Sequence, residues 1–369
     1  MKKISNNYLV HMILDRRNIN VKINEVISNE LPYDIEVIAE NLYVPWAIVE
    51  NGEGKLYFTE RSGAIRKIED GKLIAQPLIT LSTPFISRGE GGLMGIALDP
   101  DFSQNHFIYV MHSYTEGGLN YNRIVRLVEE NNSAFIDRIL LDRIPGGLFH
   151  NGGRLKIGPD QKLYITTGDA GNPVLAQELT SLAGKILRIE LDGGIPEDNP
   201  FINSPIYSFG HRDPQGLAWN PDNILYASEH GETAHDELNR IQPGANYGWP
   251  IVQGDKDSNE VRIQRPILQS GEETWAPSGI AFVDQGPWKG KLLIAALRGV
   301  QLLAISLKND GTEVEKVESW LKEEYGRLRE VVQARDGSIY LATSNKDGRG
   351  YPDRTDDKII RLIPKNGVI

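Results

Sequence analysis

No cysteine occurs in the 369 residues, which removes disulfides, thiol nucleophiles, cysteine-ligated zinc and iron–sulfur clusters from consideration. Basic residues are in deficit: 40 Lys and Arg stand against 50 Asp and Glu, a formal net charge of −10. Binding nucleic acid through its phosphates needs a basic face that displaces counterions, so no nucleic-acid partner is expected. No apolar run approaches the ~20 residues of a spanning helix, so no membrane span is expected either. The N-terminus carries Lys2 and Lys3, but the apolar stretch 8–14 is short, interrupted by His11 and followed by Asp15-Arg16-Arg17. That is a poor match to a signal peptide. Residues 1–32 read as a lead-in, either disordered or serving as an outer strand.

What the chain does have is turn formers, with 37 Gly and 20 Pro, alongside 40% hydrophobic residues. This composition favours a turn-rich β fold with a sizeable core. A three-strand pattern recurs six times. Its middle strand reads Leu56-Tyr57-Phe58-Thr59, Phe107-Ile108-Tyr109-Val110, Leu163-Tyr164-Ile165-Thr166, Leu225-Tyr226-Ala227-Ser228, Leu292-Leu293-Ile294-Ala295 and Ile339-Tyr340-Leu341-Ala342. Four of the turns before it are variants of one theme: Asp99-Pro100-Asp101, Gly158-Pro159-Asp160, Asn220-Pro221-Asp222 and Arg335-Asp336-Gly337. The repeats lie 47 to 67 residues apart, and a period of that size with several strands per repeat is the mark of a propeller blade, which hides its sheet faces only against its neighbours. The expected fold is all-β: a six-bladed β-propeller of four-stranded antiparallel blades, forming a single domain over 33–369.

Propeller geometry places the loop entering strand one and the loop leaving strand two on the same face, around the channel mouth. The entering loops hold Glu90 among glycines, His150-Asn151-Gly152-Gly153, Arg212-Asp213-Pro214-Gln215 and Arg327-Leu328-Arg329. The leaving loops hold Arg298-Gly299 and Asn345-Lys346-Asp347. The turns of the opposite face are plain turn formers. Loops on a rigid scaffold are where sites are built, and arginines gathered on an acidic protein point to an anionic ligand held by charge-assisted hydrogen bonds. Structural alternatives stand beside each of these residues. His150 can cap a turn, Arg212 can pair with Asp213, and Arg327 and Arg329 can form an exposed basic face. Tyr247-Gly248-Trp249-Pro250 reads more readily as an aromatic packing corner than as a ligand clamp. The stretch Glu229-His230-Gly231-Glu232 with His235-Asp236-Glu237 lacks the two-histidine spacing of a zinc protease; its oxygen donors suit calcium better than zinc, and a solvated acidic loop is the equal alternative.

At these residues the chain resembles the soluble aldose sugar dehydrogenases dependent on pyrroloquinoline quinone, with glucose and sorbosone dehydrogenases as relatives. The matching stretches run in order from Pro45-Trp46 through 89–102, 150–160, 207–219, 228–239, 246–250, 275–282, 326–332 and 343–350. The resemblance implies oxidation of an aldose, with His150 as the catalytic base and pyrroloquinoline quinone and calcium as cofactors. It places Glu90, His150, Arg212 and Gln215 around the quinone, with Arg298, Arg327, Arg329, Asn345 and Lys346 as further contacts. It implies calcium at the backbone carbonyls of Gly231 and Glu232, and a second, structural calcium at Glu237 and Tyr247. The implied protein is periplasmic or extracellular, a monomer or homodimer, acting on an aldose with an unidentified electron acceptor. Two features depart from the relatives: Asp213 adds negative charge where many carry Asn, and Phe149 replaces an acidic residue of the glucose dehydrogenase branch. Two other readings fit parts of the sequence, a calcium-dependent propeller lactonase or esterase and a catalytically silent propeller that binds carbohydrate or protein. The lactonase wants an axial ring of Asp, Asn and Glu, whereas this mouth is rich in arginine.

Overall fold

The computed structural model describes residues 9–12, 23–27, 30–256, 258, 261–308 and 310–365. The rest of the 1–32 lead-in, and 366–369 at the end of the propeller domain, lie outside the described residues. Within the lead-in, Leu9–Met12 and Ile23–Ile27 pair antiparallel as a separate two-stranded sheet.

Six antiparallel sheets follow the predicted repeat. Blade 1 is built from Pro45–Glu50, Leu56–Glu60, Ala64–Glu69 and Lys72–Leu73, with Ile79–Thr80 also paired to its third strand. Blade 2 has the longest strands: Leu93–Leu98, Phe107–Glu116, Leu119–Glu130 and Ser133–Pro145. Blade 3 comprises Leu155–Ile157, Leu163–Thr167, Lys185–Ile189 and Ile206–Phe209, and blade 4 Pro214–Trp219, Leu225–Glu229, Glu237–Ile241 and Leu268–Gln269. Blade 5 comprises Pro277–Phe282, Lys291–Ala296, Gln301–Leu307 and Val314–Trp320. Blade 6 takes Leu328–Gln333, Ile339–Thr343 and Ile359–Pro364 from the end of the chain and its outermost strand, Tyr33–Ala39, from the beginning. This pairing closes the ring with backbone hydrogen bonds and leaves no seam between the first and last repeats.

The first strands of successive blades touch one another all the way round, so they form the channel wall. Their approach is close enough to dictate residue type. A Cβ on Gly95 would sit 2.2 Å from the carbonyl oxygen of Gly153, and one on Gly216 would sit 2.4 Å from that of Ser278. The turns of the far face are set by Asx hydrogen bonds. Asp99 Oδ1 accepts from the Asp101 amide at 2.9 Å, and Asn220 Oδ1 from that of Ile224 at 2.8 Å. Apolar side chains from adjacent blades interlock between the sheets. Tyr57, Phe102 and Ile108 share one cluster, and Trp288, Leu302 and Val331 share another. A rigid ring results, with its strand-one entry loops and strand-two exit loops converging on one mouth.

Candidate active site

That mouth opens into a cavity of about 590 Å³. Glu90, His150, Arg212, Gln215, Gly231, Glu232, Arg298, Arg327 and Arg329 all line it, as do Arg61, Asp347 and Arg349. Six guanidinium groups, contributed by four of the blades, therefore face one volume. The opposite mouth differs: its depression is walled by Leu217, Ile280, Phe282 and Val332, with Lys156 and Arg335 among them.

His150 adopts φ 55° in the left-handed region, which non-glycine residues rarely enter outside strained or functional loops. Its backbone N–H donates to Glu90 Oε2 at 2.9 Å, and its carbonyl accepts from the Ala170 amide at 3.0 Å. Gly168 passes so close that a Cβ there would sit 2.1 Å from the His150 oxygen. The imidazole Nδ1 lies 2.7 Å from Asp169 Oδ1. Asp169 has no exposed surface; its Oδ1 also accepts from the Gly171 amide at 2.8 Å, and its Oδ2 from Trp249 Nε1 at 2.8 Å. Burial by itself would raise the Asp169 pKa, but the donors from His150, Gly171 and Trp249 outweigh it and hold the carboxyl below its ordinary value. Burial likewise works against a charged His150, yet the Asp169 hydrogen bond and the nearby Asp213 charge raise its pKa above the ordinary histidine value, against the opposing Arg212 charge. With Nδ1–H directed at the carboxylate, the neutral ring presents the Nε2 lone pair, the arrangement of an oriented general base.

The arginines divide into two groups. Arg327 Nε and Nη2 both lie 2.8 Å from Asp347 Oδ2, and Arg329 Nη2 lies 3.6 Å from the same oxygen. Arg349 pairs with Glu90 at 2.8 Å. By contrast, Arg61, Arg212 and Arg298 pair with no carboxylate among the described residues, and the buried Nε atoms of Arg61 and Arg212 have no hydrogen-bond partner. Burial pushes Arg329 down to about 10 despite the Asp347 charge, and a cation so poorly solvated favours an incoming anion. Orphaned donors, an excess of guanidinium and a broad cavity fit a flat polycarboxylate such as pyrroloquinoline quinone.

Asp213 does not pair with Arg212. Its Oδ1 accepts from the Gly152 amide at 2.9 Å and its Oδ2 from Gln215 Nε2 at 3.1 Å, so its charge supports the His150 loop rather than cancelling an arginine. Asn345 and Lys346, expected as ligand contacts, turn away from the cavity. Asn345 Oδ1 accepts from the Arg327 amide at 2.9 Å while its Nδ2 donates to Tyr325 O and Asp356. Lys346 Nζ donates to Leu42 O at 3.1 Å. Asn345 braces the loop that carries Arg327, and Lys346 ties its own loop to the segment entering blade 1. Asp169, Arg61 and Arg349 belong to mouth loops of the sequence and Trp249 to its aromatic corner, but none of the four was expected as a site residue. Arg61 and Arg349 sit in mouth loops readable from the repeat, and Asp169 ends the exit loop of the blade whose entry loop holds His150.

Gly231 and Glu232 form part of the cavity wall, on a loop tied down by Asp236, whose carboxylate accepts from the amides of Gly231, Trp275 and Ala276 at 2.6–3.0 Å. A Cβ on Gly231 would meet the Ala234 carbonyl at 1.8 Å, so this turn requires glycine, and its backbone oxygens are calcium-type donors. Glu237 and Tyr247 lie behind the wall. Glu237 accepts from Asn239 Nδ2 and the Gly254 amide, both at 2.9 Å, and burial beside Glu229 pushes it up to about 8. The neighbouring Asn239 Oδ1 is buried without a partner, so this corner is oxygen-rich and receptive to a cation. The Tyr247 hydroxyl is engaged by the main chain, donating to Arg240 O at 2.7 Å and accepting from the Gln242 amide at 2.8 Å. Among the described residues no three His, Asp or Glu side chains converge as metal ligands. The carboxylates facing the cavity are each engaged by an arginine, an amide side chain or backbone N–H, unlike the axial ring a calcium lactonase wants.

Comparison with known proteins agrees with this geometry. The aldose sugar dehydrogenase of Streptomyces coelicolor, solved in its PQQ-bound form, superimposes with a TM-score of 0.81 at 37% identity, covering 89% of this chain and 98% of that one. Aldose sugar dehydrogenase YliI of Escherichia coli is 31% identical, over 90% of this chain and 93% of its own length. Quinoprotein glucose dehydrogenase B of Acinetobacter calcoaceticus is 34% identical, over 72% of this chain and 64% of its own length. The family profile described as glucose / sorbosone dehydrogenase matches residues 42–360, the whole propeller apart from its outermost ends, and the chain belongs to that family.

Proposed function

We propose that this chain is a quinoprotein oxidoreductase that oxidises the anomeric hydroxyl of aldose sugars to the lactone, with His150 as general base. The observation that carries the reading is the His150–Asp169 pair beside a cavity lined by six guanidinium groups, three of them without a carboxylate partner among the described residues. When bound, pyrroloquinoline quinone supplies the two-electron acceptor for the hydride that leaves the anomeric carbon. Arg61, Arg212, Arg298, Arg327 and Arg329 would hold it by charge, with Gln215 and Glu90 beside them in the cavity. The backbone carbonyls of Gly231 and Glu232 would hold a calcium ion that would supply Lewis acidity, and Glu237 and Tyr247 would hold a second, structural one.

The chain's own residues perform the proton chemistry. Nε2 of His150 accepts the hydroxyl proton as the C1–H bond breaks, which leaves a C1–O double bond. Asp169 keeps the ring in the productive tautomer and stabilises the imidazolium that forms. Phe149, half-exposed beside His150 and 5.8 Å from the Arg349 guanidinium, gives the rim an apolar surface for a sugar ring. Reconstitution with pyrroloquinoline quinone and calcium, followed by dye reduction and lactone assay with a panel of aldoses, tests the reading. Turnover that disappears in His150→Ala while the quinone still binds supports it; no turnover with any aldose removes it.

A further inference from the structure

The Tyr247-Gly248-Trp249-Pro250 corner packs as the sequence suggested, with Tyr247 stacked on His211 at 4.6 Å between ring centroids. Trp249 also makes two contacts that packing does not require. Its indole N–H donates to Asp169 Oδ2, the carboxylate oxygen not used by His150. Its ring lies under the Arg212 guanidinium, 5.4 Å away. One buried side chain, 8% exposed, thus touches both the carboxylate behind the base and a cation of the anion ring. The main chain holds it in place: Trp249 N–H donates to Gly210 O at 2.9 Å, and its carbonyl accepts from Gln177 Nε2 at 2.7 Å. Gln177 in turn exchanges two hydrogen bonds with Asn246.

We propose that Trp249 is a positioning residue that sets the basicity of His150 through Asp169. The proposal rests on the reading of His150 as the base. Asp169 Oδ1 is shared by the imidazole and the Gly171 amide, while Oδ2 has the indole N–H as its donor. Removing that donor from a buried carboxylate returns negative charge to the His150 hydrogen bond. The imidazolium is then better stabilised, and Nε2 stays protonated to higher pH. The other charged groups facing His150 are Asp213 and Arg212 at the ring and Glu90 at the backbone amide, and the substitution leaves all three in place. The indole therefore holds the base low enough to be neutral when substrate arrives.

The test is Trp249→Phe, which keeps a ring against Arg212 but removes the N–H. The His150 titration is followed by NMR in the cofactor-free chain, and kcat and KM are followed against pH after quinone loading. The expected result is a His150 midpoint raised by about half to one pH unit. The acid limb of kcat moves by the same amount, and KM stays within about twofold. In an Asp169→Asn background the same change should leave the midpoint where it was. An unmoved midpoint in a normally folded Trp249→Phe protein would overturn the proposal, as would a shift that persists without the Asp169 charge. Should Trp249→Phe not fold, 3-benzothienylalanine at position 249, isosteric with indole but lacking N–H, gives the same comparison. The NMR titration needs no turnover, so an inactive parent chain would remove the sugar dehydrogenase reading without obscuring this result.

Discussion

His150 and Asp169 are 19 positions apart in sequence, yet Nδ1 of one lies 2.7 Å from Oδ1 of the other, on a carboxylate with no exposed surface. Asp169→Asn keeps the shape and removes the charge. We expect kcat to fall by about 100-fold or more, because the imidazolium loses its stabilising partner and the ring its tautomer. The His150 pKa, raised in the parent, should drop, so the acid limb of activity moves to lower pH while the plateau falls. Steady-state kinetics across pH, with quinone binding measured in parallel, checks both directions.

The unpaired arginines and the bracing amide should separate in binding measurements. Arg212→Gln removes a charged donor facing the cavity and should weaken pyrroloquinoline quinone by about 10- to 100-fold, a loss of roughly 1.5–3 kcal/mol. Asn345→Ala loosens the loop behind Arg327 without removing any charge from the cavity. It should lower thermal stability and weaken the quinone less than Arg212→Gln does. Calorimetry at two salt concentrations distinguishes them, since the binding lost with Arg212 is the salt-sensitive part.

Arg154 and Glu330 form an ion pair across the channel, each 1% exposed, and Arg154 also donates to Gln215 O at 2.8 Å. Glu330→Ala leaves a buried guanidinium uncompensated and should cost about 3–5 kcal/mol of stability. Denaturant unfolding provides the measurement. An effect under 1 kcal/mol would show that the cation is rescued by water from the channel.

His112 is buried in blade 2, its Nδ1 3.1 Å from Ser113 O and its Nε2 accepting from Arg123 Nε at 3.1 Å. Burial first, with the Arg123 charge adding to it, pushes its pKa down to about 4 against the opposing Ser113 carbonyl. The unfolded chain takes up this proton near pH 6.5 and the folded chain only near 4, so stability is full above pH 6.5 and declines as pH falls between these values. The decline attributable to His112 is about 3 kcal/mol. His112→Gln should flatten that part of the pH–stability curve, as read from urea unfolding at pH 7 and 4.5.

The fold was legible because the repeat is strong. Strand two carries its apolar run in every blade, and the Asx turns recur before it. The lining of the mouth was also legible for His150, Arg212, Gln215, Arg298, Arg327 and Arg329, because strand order alone decides which loops share a face. Side-chain direction was not. Asn345 and Lys346 occupy a mouth loop but turn away from the cavity, toward the backbone oxygens of Tyr325 and Leu42. Asp169 was legible as a residue of the mouth loops, but its pairing with His150 was not, because the side-chain contact joins an entry loop and an exit loop 19 positions apart. Trp249 reaches Asp169 from the next blade, a contact with no local sequence signal.

Titration of the cofactor-free protein with pyrroloquinoline quinone in the presence of calcium, followed by its absorbance before and after an aldose is added, tests the central claim most directly. The account predicts saturable binding of one quinone per chain, weakened in Arg212→Gln, and reduction of the bound quinone on adding the sugar. Binding that ignores the arginine substitution, or a bound quinone that no aldose reduces, would contradict it.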